Sequence, residues 1–410
     1  MGVREDFGVY VHIPFCRRRC DYCAFATWVG REAIWERYID ACTREVGARL
    51  QSRRRATSVF FGGGTPSLIP ADLLVGVLSA IEGAAGLARD AEVTVECNPE
   101  TVTASKLRAY REAGVTRLSF GAQSMVPHVL ASLGREHQAS MVTRAADLAG
   151  EAGFAGAYGV DLIFGAAGES LADWEATLVG ALSLSPRPAH VSAYALTVEA
   201  GTPLSKDRAR YPDDDDQAEK YTLADALLQS EGYEWYEISN WARPGAECAH
   251  NRLYWSQGEY AGIGCSAHSH ALVDSGSPVG AGGGDEPSAR RWWNVRTPER
   301  YCALVEAGRT AEAAGEVLGP IERAAEALML AVRTREGVPS GAVPAELFDE
   351  GLVARRQGSA TTGQTTTEAA TEAGGGRAGE GERAVLTLRG RLLANEVALR
   401  LASVPARGGV

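Results

Sequence analysis

The stretch VYVHIPFCRRRCDYCAF, residues Val9–Phe25, decides the fold. It opens with an apolar run, Val9–Ile13, which predicts a buried strand. Three cysteines follow at once, Cys16, Cys20 and Cys23, in the spacing C-x3-C-x2-C. The stretch therefore predicts a strand that delivers three thiols to one loop ahead of a helix.

Beyond this stretch, short apolar runs alternate with helical patterns. Apolar side chains recur every four residues from Ile34 to Leu50, which predicts one face of a first helix. Five further strands are predicted at Thr57–Phe61, Glu92–Cys97, Thr116–Gly121, Val160–Phe164 and His190–Leu196. Helices are predicted between them near residues 71–85, 103–113, 138–152 and 170–184. Strands that alternate with helices predict an α/β fold with a parallel sheet, closed into a full or partial TIM-type barrel.

The rest of the chain divides into regions of different composition. We expect residues 1–230 to form the barrel core and residues 231–300 to complete its end. Residues 301–410 are predicted to form a C-terminal domain, in which Ile321–Val332 has a clear helical pattern. Residues 357–382 carry almost no large apolar side chain, so they bury too little surface to fold and predict a disordered insert.

Composition and charge limit the classes of protein to which the chain can belong. The 410 residues include 41 basic and 52 acidic side chains, and the net charge of −11 argues against nucleic-acid binding. The sequence shows no signal peptide and no apolar run long enough to span a membrane, which predicts a cytoplasmic protein. Peripheral membrane contact and a homodimer both stay open. Eight cysteines in such a protein indicate thiols or metal ligands rather than disulfides.

The three clustered cysteines allow three interpretations. Thiolates in one loop can surround a [4Fe–4S] cluster and leave one iron open to another ligand. They could also be unrelated thiols, because free cysteine packs as a small hydrophobe. A zinc site is the third interpretation, and it needs a fourth ligand, for which His12 is the candidate. The spacing favours the cluster.

Five more motifs follow in a fixed order: FFGGGTPSLI (60–69), TVECNPE (94–100), RLSFGAQS (117–124), GVDLIFG (159–165) and VSAYALTVEAGTPL (191–204). Together with the cysteine stretch, they resemble the coproporphyrinogen-oxidase-like branch of the radical SAM superfamily, closely over residues 7–270. The resemblance implies a partial (β/α)6 TIM-type radical SAM barrel followed by a smaller, mainly helical C-terminal domain. It also implies a cluster ligated by the three cysteines, with S-adenosylmethionine on the open iron.

The resemblance further implies which residues contact S-adenosylmethionine. These positions are Tyr10, Tyr22, Gly63, Gly64, Thr65, Glu96, Gln123, Arg135 and Asp161. The glycines would let the backbone approach the methionine amine, and Arg135 would pair with its carboxylate. Simpler interpretations stand beside these: an ordinary turn for the glycines, surface exposure for Glu96 and packing for the two tyrosines.

A last motif separates two groups within that branch. His250–Trp255 reads HNRLYW and matches the HNxxYW signature of the haem chaperones, which is implicated in haem binding. Phe25 stands where the oxidases carry a further cysteine, and Tyr10 lies near the start of the chain, without the oxidases' N-terminal extension. The resemblance therefore implies a chaperone that delivers haem to apo-proteins and draws on an electron donor for its cluster. The alternatives are the oxidase, which decarboxylates propionates of coproporphyrinogen III, and a radical enzyme with another substrate.

Within the motif, His250 is the expected haem ligand, and Tyr254 with Trp255 would offer flat faces to a porphyrin. Interior packing is the alternative role for His250. The rival ligands are His268, His270, Cys248 and Cys265. A basic run, Arg17–Arg19, lies between two cluster ligands, where it is a solvated surface run or attracts the anionic end of a substrate or reductant.

Overall fold

The structure is a computed structural model that describes residues 6–50, 54–273, 288–357 and 381–402. Contacts within the chain define a large unit, which ends at Pro320, and a small unit, which contains Tyr236–Ile238 and the described residues from Ile321 onward. The predicted start of the C-terminal domain at residue 301 falls inside a helix of the large unit. Residues 358–380 of the predicted insert lie outside the described residues.

Six parallel strands in sequence order form the centre of the main sheet. They are β1 (Phe7–Ile13), β2 (Ala56–Gly63), β3 (Leu87–Cys97), β4 (Arg117–Gln123), β5 (Tyr158–Phe164) and β6 (His190–Ala195). Each strand pairs in parallel with the next one along the chain. The carboxyl ends of all six therefore meet at one edge, and the predicted partial (β/α)6 barrel is confirmed.

Helices return the chain between these strands and beyond the last one. They are α1 (Trp35–Arg49), α2 (Ala71–Ala85), α3 (Ala104–Glu112), α4 (Pro127–Ser132), α5 (Ala139–Glu151), α6 (Leu171–Leu182) and α7 (Asp214–Ser230). At the start of α6, Ser170 and Asp173 form a reciprocal capping box. Asp213 caps α7 by accepting a hydrogen bond from the Asp216 amide, so the acidic run is a helix start where carboxylates are favoured.

Further strands extend the sheet past both sides of the six. They are β7 (Glu234–Glu237), β8 (Asn240–Ala242), β9 (Glu259–Ile263), β10 (His268–Val273), β11 (Ser288–Asn294) and β12 (Glu312–Leu318). The strand order is β12-β11-β10-β9-β1-β2-β3-β4-β5-β6-β8-β7. Strand β9 is parallel to β1, and the strands beyond it are antiparallel. Two helices lie within this part of the chain, α8 (Ala249–Trp255) and α9 (Pro298–Glu306).

The parallel strands are buried because helices cover them. Val9, Val11 and Ile13 of β1 are fully inaccessible to solvent, as are Val59 and Phe61 of β2. Such near-continuous apolar strands are typical of parallel sheets. The core therefore fixes the backbone from which the polar side chains at the strand ends project.

The small unit combines helices with a three-stranded antiparallel sheet. Its elements are α10 (Pro320–Ala331), β13 (Val338–Pro339), α11 (Ala345–Asp349), β14 (Val353–Gln357), β15 (Glu382–Leu386), α12 (Leu388–Leu392) and α13 (Ala394–Ala402). Its own apolar core includes Leu347, Leu352 and Val397. Helices outweigh strands here, as predicted, although the sequence did not predict the sheet. None of the described helices is long and apolar enough to cross a membrane.

Candidate functional site

The three clustered cysteines lie in a loop that backbone hydrogen bonds close. The Cys16 amide donates to the Trp28 carbonyl at 3.0 Å, and the Trp28 amide donates to the Pro14 carbonyl at 2.7 Å. Cys16, Cys20 and Cys23 are all partly exposed and border one cavity of about 600 Å³. The loop thus brings three thiols to the carboxyl end of β1, at the edge where barrels of this type place their sites.

Burial governs the protonation of these thiols. It raises the pKa of Cys16 to about 11 and also raises the pKa of Cys23. Without a metal the two groups stay protonated, whereas a bound metal deprotonates a coordinating thiol outright. Among the described residues, no group of three or more His, Cys, Asp or Glu side chains is placed so that it could hold a single metal ion. Three thiols that border one cavity are the kind of donor set that a [4Fe–4S] cluster takes, so these residues fit that group.

His12, the candidate fourth zinc ligand, is engaged elsewhere. Its Nε2 is hydrogen-bonded to the Ala26 carbonyl at 2.9 Å, and its Nδ1 to the Tyr10 hydroxyl at 3.1 Å. Burial lowers the pKa of His12 to about 4, so the ring is neutral. His12 therefore supports the cysteine loop through Ala26.

The cysteine loop is also contacted from two other loops. The Thr65 hydroxyl donates to Cys16 Sγ at 3.6 Å, and Arg135 Nη1 donates to Cys20 Sγ at 3.4 Å. Arg135 Nη2 donates in addition to Asn98 Oδ1 at 3.0 Å. The sequence suggested the cofactor's carboxylate as the partner of Arg135, and the structure adds a direct contact with a predicted cluster ligand.

The glycine loop after β2 packs tightly on the end of β1. Gly63 has φ +108°, and a Cβ placed there would lie 2.3 Å from the His12 ring. A Cβ on Gly64 would lie 2.7 Å from the carbonyl oxygens of Ile13 and Phe15. These glycines are therefore required by close approach to neighbouring protein, as well as offering backbone to the cavity. A side chain at Gly63 would clash with the His12 ring inside the protein, and not only with a ligand in the cavity.

Two carboxyl groups, on β3 and on β5, face the same cavity. Glu96 Oε2 accepts a hydrogen bond from the Gly63 amide at 3.1 Å, and burial, with Asp161 nearby, raises the pKa of Glu96 to about 8. Asp161 accepts from the hydroxyls of Ser119 and Ser192 at 2.9 and 2.7 Å, and burial raises its pKa. Glu96 is thus part of the cavity wall and not a simple surface residue. The pair is suited to accept hydrogen bonds from ammonium or hydroxyl groups of a ligand.

Gln123 reaches the cavity through a local irregularity of the sheet. Its φ is +63°, which is uncommon for a residue other than glycine, and the register of β4 against β5 shifts between Gly121 and Gln123. Strained backbone of this kind collects at functional sites because the surrounding fold enforces it. Gln123 borders the cavity.

The two tyrosines occupy different parts of the cavity wall. Tyr10 lies 6.3 Å from Phe60 and 6.4 Å from His250, measured between ring centroids. Tyr22 packs against an apolar cluster that includes Leu133 and Leu196, and burial raises its pKa. Both side chains border the cavity, so packing and ligand contact are compatible roles.

The HNRLYW motif forms α8, and one face of this helix borders the cavity through His250, Asn251 and Tyr254. His250 is only 1% exposed, and its Nδ1 is hydrogen-bonded to the Ser58 hydroxyl at 2.8 Å. Its Nε2 is hydrogen-bonded to the Tyr254 hydroxyl, also at 2.8 Å. Burial lowers the pKa of His250 to about 3, so the ring is neutral, and both ring nitrogens are already engaged.

The rival haem ligands are more scattered. His268 and His270 lie on β10, where His268 stacks on Trp293 and His270 Nδ1 is bonded to the Gly258 carbonyl. Cys265 is buried beside Tyr38. Cys248 borders the cavity, and its thiol donates to Glu92. Among the described residues, those that border the cavity do not include His268, His270 or Cys265.

Sequence reasoning missed three polar residues of the site. Asn98 accepts from Arg135 and donates to the Thr65 hydroxyl at 3.3 Å. Ser119 and Ser192 hold Asp161. All three belong to motifs that the resemblance used, TVECNPE, RLSFGAQS and VSAYALTVEAGTPL. Asn98 directly follows the last residue of β3, and this position was the signal that could have identified it. Ser119 and Ser192 are each the third residue of a strand, so the same signal does not mark them.

A parallel partial barrel with a three-cysteine loop at its carboxyl edge is the architecture of the radical SAM superfamily, whose profile matches residues 10–179. The chain belongs to the HemW family within that superfamily. It is 38% identical to the heme chaperone HemW of Mycobacterium tuberculosis, over 96% of this chain and 94% of that protein. It is 32% identical to the heme chaperone HemW of Synechocystis sp., over 82% and 80% of the two chains.

A solved structure supports the fold over nearly the whole chain. Coproporphyrinogen III oxidase HemN from Escherichia coli, described as a radical SAM enzyme, superposes with a TM-score of 0.76. The match covers 97% of this chain and 90% of that one, at 20% sequence identity. At this identity the likeness establishes a shared fold and leaves the activity to other observations.

Proposed function

We propose that the protein is a haem chaperone, which binds haem and delivers it to apo-proteins. The observation that carries this proposal is the similarity to proteins named heme chaperone HemW along 96% of the chain. The cavity supports it through Phe25, which stands where the oxidases of this branch carry a cysteine. Its ring is 68% exposed and borders the cavity, so it can contact a flat apolar ligand.

The same cavity is proposed to hold a [4Fe–4S] cluster and S-adenosylmethionine. Cys16, Cys20 and Cys23 would ligate three irons, and Arg135 keeps a positive charge beside Cys20. When bound and reduced by an electron donor, the cluster supplies an electron that can cleave a carbon–sulfur bond of S-adenosylmethionine. The protein's part is to hold and orient these groups.

Glu96 and Asp161 are proposed to receive the polar groups of S-adenosylmethionine. That molecule carries an amine and two ribose hydroxyls, which are the donors that paired carboxyl groups accept. The Gly63 amide holds Glu96 in place, and two serine hydroxyls hold Asp161. Around them, further residues border the cavity and are proposed to contact the same cofactor: Tyr10, Tyr22, Gly63, Gly64, Thr65 and Gln123.

His250, which the motif predicts as the haem ligand, is a more demanding proposal. To coordinate iron through Nε2, the ring must exchange its hydrogen bond to Tyr254 for the metal. To coordinate through Nδ1, it must release Ser58. Iron ligation by His250 therefore requires one of these two side-chain hydrogen bonds to break.

The competing function is the oxidative decarboxylation of coproporphyrinogen III, and one experiment separates the two. Anaerobically reconstituted protein is mixed with haem and passed through a desalting column. A second sample receives coproporphyrinogen III, S-adenosylmethionine and a reductant. We expect haem to be retained, with a Soret band, and later transferred to an added apo-haem protein. Formation of protoporphyrinogen IX in the second sample would reject the chaperone proposal. The cytoplasmic location stays a prediction.

A further inference from the structure

Four side chains at the mouth of the cavity form a surface of unusual composition. Phe25 and Tyr194 are large aromatic residues that are 68% and 41% exposed. Arg18 and Arg19 are also exposed, and all four residues border the cavity. Phe25 and the arginines belong to the cysteine loop, whereas Tyr194 lies near the end of β6. Exposed aromatic rings grouped at a cavity are typical of binding sites. We call these four residues the mouth surface.

The two arginines of the mouth surface can accept an anionic ligand. Arg18 pairs with Glu136 at 2.9 Å, and both side chains are more than half exposed. An exposed pair of this kind contributes little to stability, so a ligand carboxylate can replace Glu136. Arg19 donates from Nε and Nη2 to the Cys23 carbonyl, which holds its guanidinium at the cavity. A guanidinium has five N–H donors, so further donors can serve a ligand.

We propose that haem docks on the mouth surface, with its macrocycle against Phe25 and Tyr194 and its propionates at Arg18 and Arg19. This inference rests on the proposed chaperone function and assigns that function a binding surface. Haem combines a flat apolar ring with two carboxylates at one edge, and the mouth surface combines exposed aromatic rings with two guanidinium groups. Arginine is well suited to pair with carboxylates.

This docking surface differs from the one that the HNxxYW motif predicts. His250 lies deeper, is 1% exposed, and uses both ring nitrogens in hydrogen bonds within the protein. The mouth surface needs no rearrangement of that kind. It also places haem at the outer face of the cavity, where an apo-protein can reach it.

The test is a haem titration of the reconstituted full chain, followed by the Soret band. We expect Phe25→Ala, and Arg18→Ala combined with Arg19→Ala, each to weaken haem affinity about tenfold or more. The matched controls are Val29→Ala and Arg17→Ala, because these residues are exposed in the same region and are not among those that border the cavity. Iron content and circular dichroism verify that every variant keeps its cluster and fold.

Haem dimethyl ester, which lacks the propionate charges, tests the role of the arginines separately. Native protein should bind haem more tightly than the ester, and the double arginine variant should bind both equally. If native protein binds haem and the mouth variants bind it as tightly, the docking surface is wrong while the chaperone function stands. If native protein binds no haem at all, the proposed function itself fails.

Discussion

Arg135 donates a hydrogen bond from Nη1 to Cys20 Sγ at 3.4 Å, so a guanidinium charge lies beside one predicted cluster ligand. Asn98 Oδ1 and the Gly121 carbonyl hold the same side chain, at 3.0 and 3.2 Å from Nη2. A fixed positive charge next to a cluster stabilises its reduced form, because reduction adds a negative charge. Arg135 is therefore expected to tune the redox chemistry of the site as well as to contact a ligand.

Replacement of Arg135 by alanine should lower the reduction potential of the reconstituted cluster. The expected shift is on the order of 59 mV if the charge changes the one-electron equilibrium about tenfold. A redox titration followed by electron paramagnetic resonance measures it. Arg144→Ala, an exposed arginine on α5, is the control. The same potential in Arg135→Ala and native protein would mean that solvent screens this charge.

The cysteine assignment predicts a sharp division among the cysteines. Serine at Cys16, Cys20 or Cys23 should abolish the cluster, since thiolates are the expected ligands of such clusters. Serine at Cys42 or Cys302, which are buried away from the cavity, should leave iron content unchanged. Iron analysis and visible absorption after anaerobic reconstitution measure both groups. A stable cluster in Cys20→Ser protein would contradict the assignment.

Glu96 predicts a specific pH dependence of stability in the protein without cofactors. Its pKa is raised to about 8 in the folded state from an ordinary value of 4.5, so the folded state binds the extra proton between these values. The free energy of unfolding should therefore decrease as pH rises from about 4.5 to about 8, because over this range the folded state keeps a proton on Glu96 that the unfolded state has released. Glu96→Gln should remove this loss, and Glu112→Gln, exposed on α3, should not. Urea titrations at pH 5 and pH 8 compare them; parallel curves for native and Glu96→Gln protein would refute the shift.

The central strands and helices were predictable because their signals are local. The helix predicted at 71–85 is α2 (Ala71–Ala85), and the strand predicted at Val160–Phe164 lies within β5. Some of the outer strands lack such local signals. Strand β9 joins β1 from the opposite end of the domain, and β12 (Glu312–Leu318) is exposed along most of its length, without the alternation that marks a strand.

The candidate site likewise contains residues that were expected from the sequence and contacts that could not be predicted from it. Glu96 and Asp161 were both expected at the site through the resemblance. Glu96 also lies near the carboxyl end of β3, at the edge where parallel strands bring their ends together, whereas Asp161 is the middle residue of β5. The contact between His12 and Ala26 was not predictable, since it depends on how the cysteine loop folds back on β1. The contact of His250 with Ser58 was also hidden, because Ser58 lies on β2, far away in the sequence.

The predicted insert can be tested through the hairpin that flanks it. Gln357 of β14 pairs with Glu382 of β15. Deletion of residues 359–380 leaves Gly358 and Gly381, a two-residue glycine turn that suits an antiparallel hairpin. Because the deleted segment has little apolar surface to bury, we expect the melting temperature and the iron content to stay unchanged. Deletion of residues 359–381 leaves one residue and should disturb the last strand pair. A large fall in melting temperature for the first deletion would show that the segment packs on the domain.

The last prediction concerns the role of His250 in haem binding. If His250 Nε2 coordinates iron, Tyr254→Phe should tighten haem binding, because the phenol that occupies Nε2 is removed. In that case His250→Gln should abolish binding and move the Soret band. We expect instead that His250→Gln binds haem within about threefold of native affinity and with the same Soret position, since the ring is buried and both nitrogens are engaged. Glutamine is used because it can both donate and accept hydrogen bonds towards Ser58 and Tyr254. Iron content confirms that the variant retains its cluster. Loss of haem binding in His250→Gln, together with tighter binding in Tyr254→Phe, would assign the iron to His250 and require its hydrogen bond to Tyr254 to break on binding.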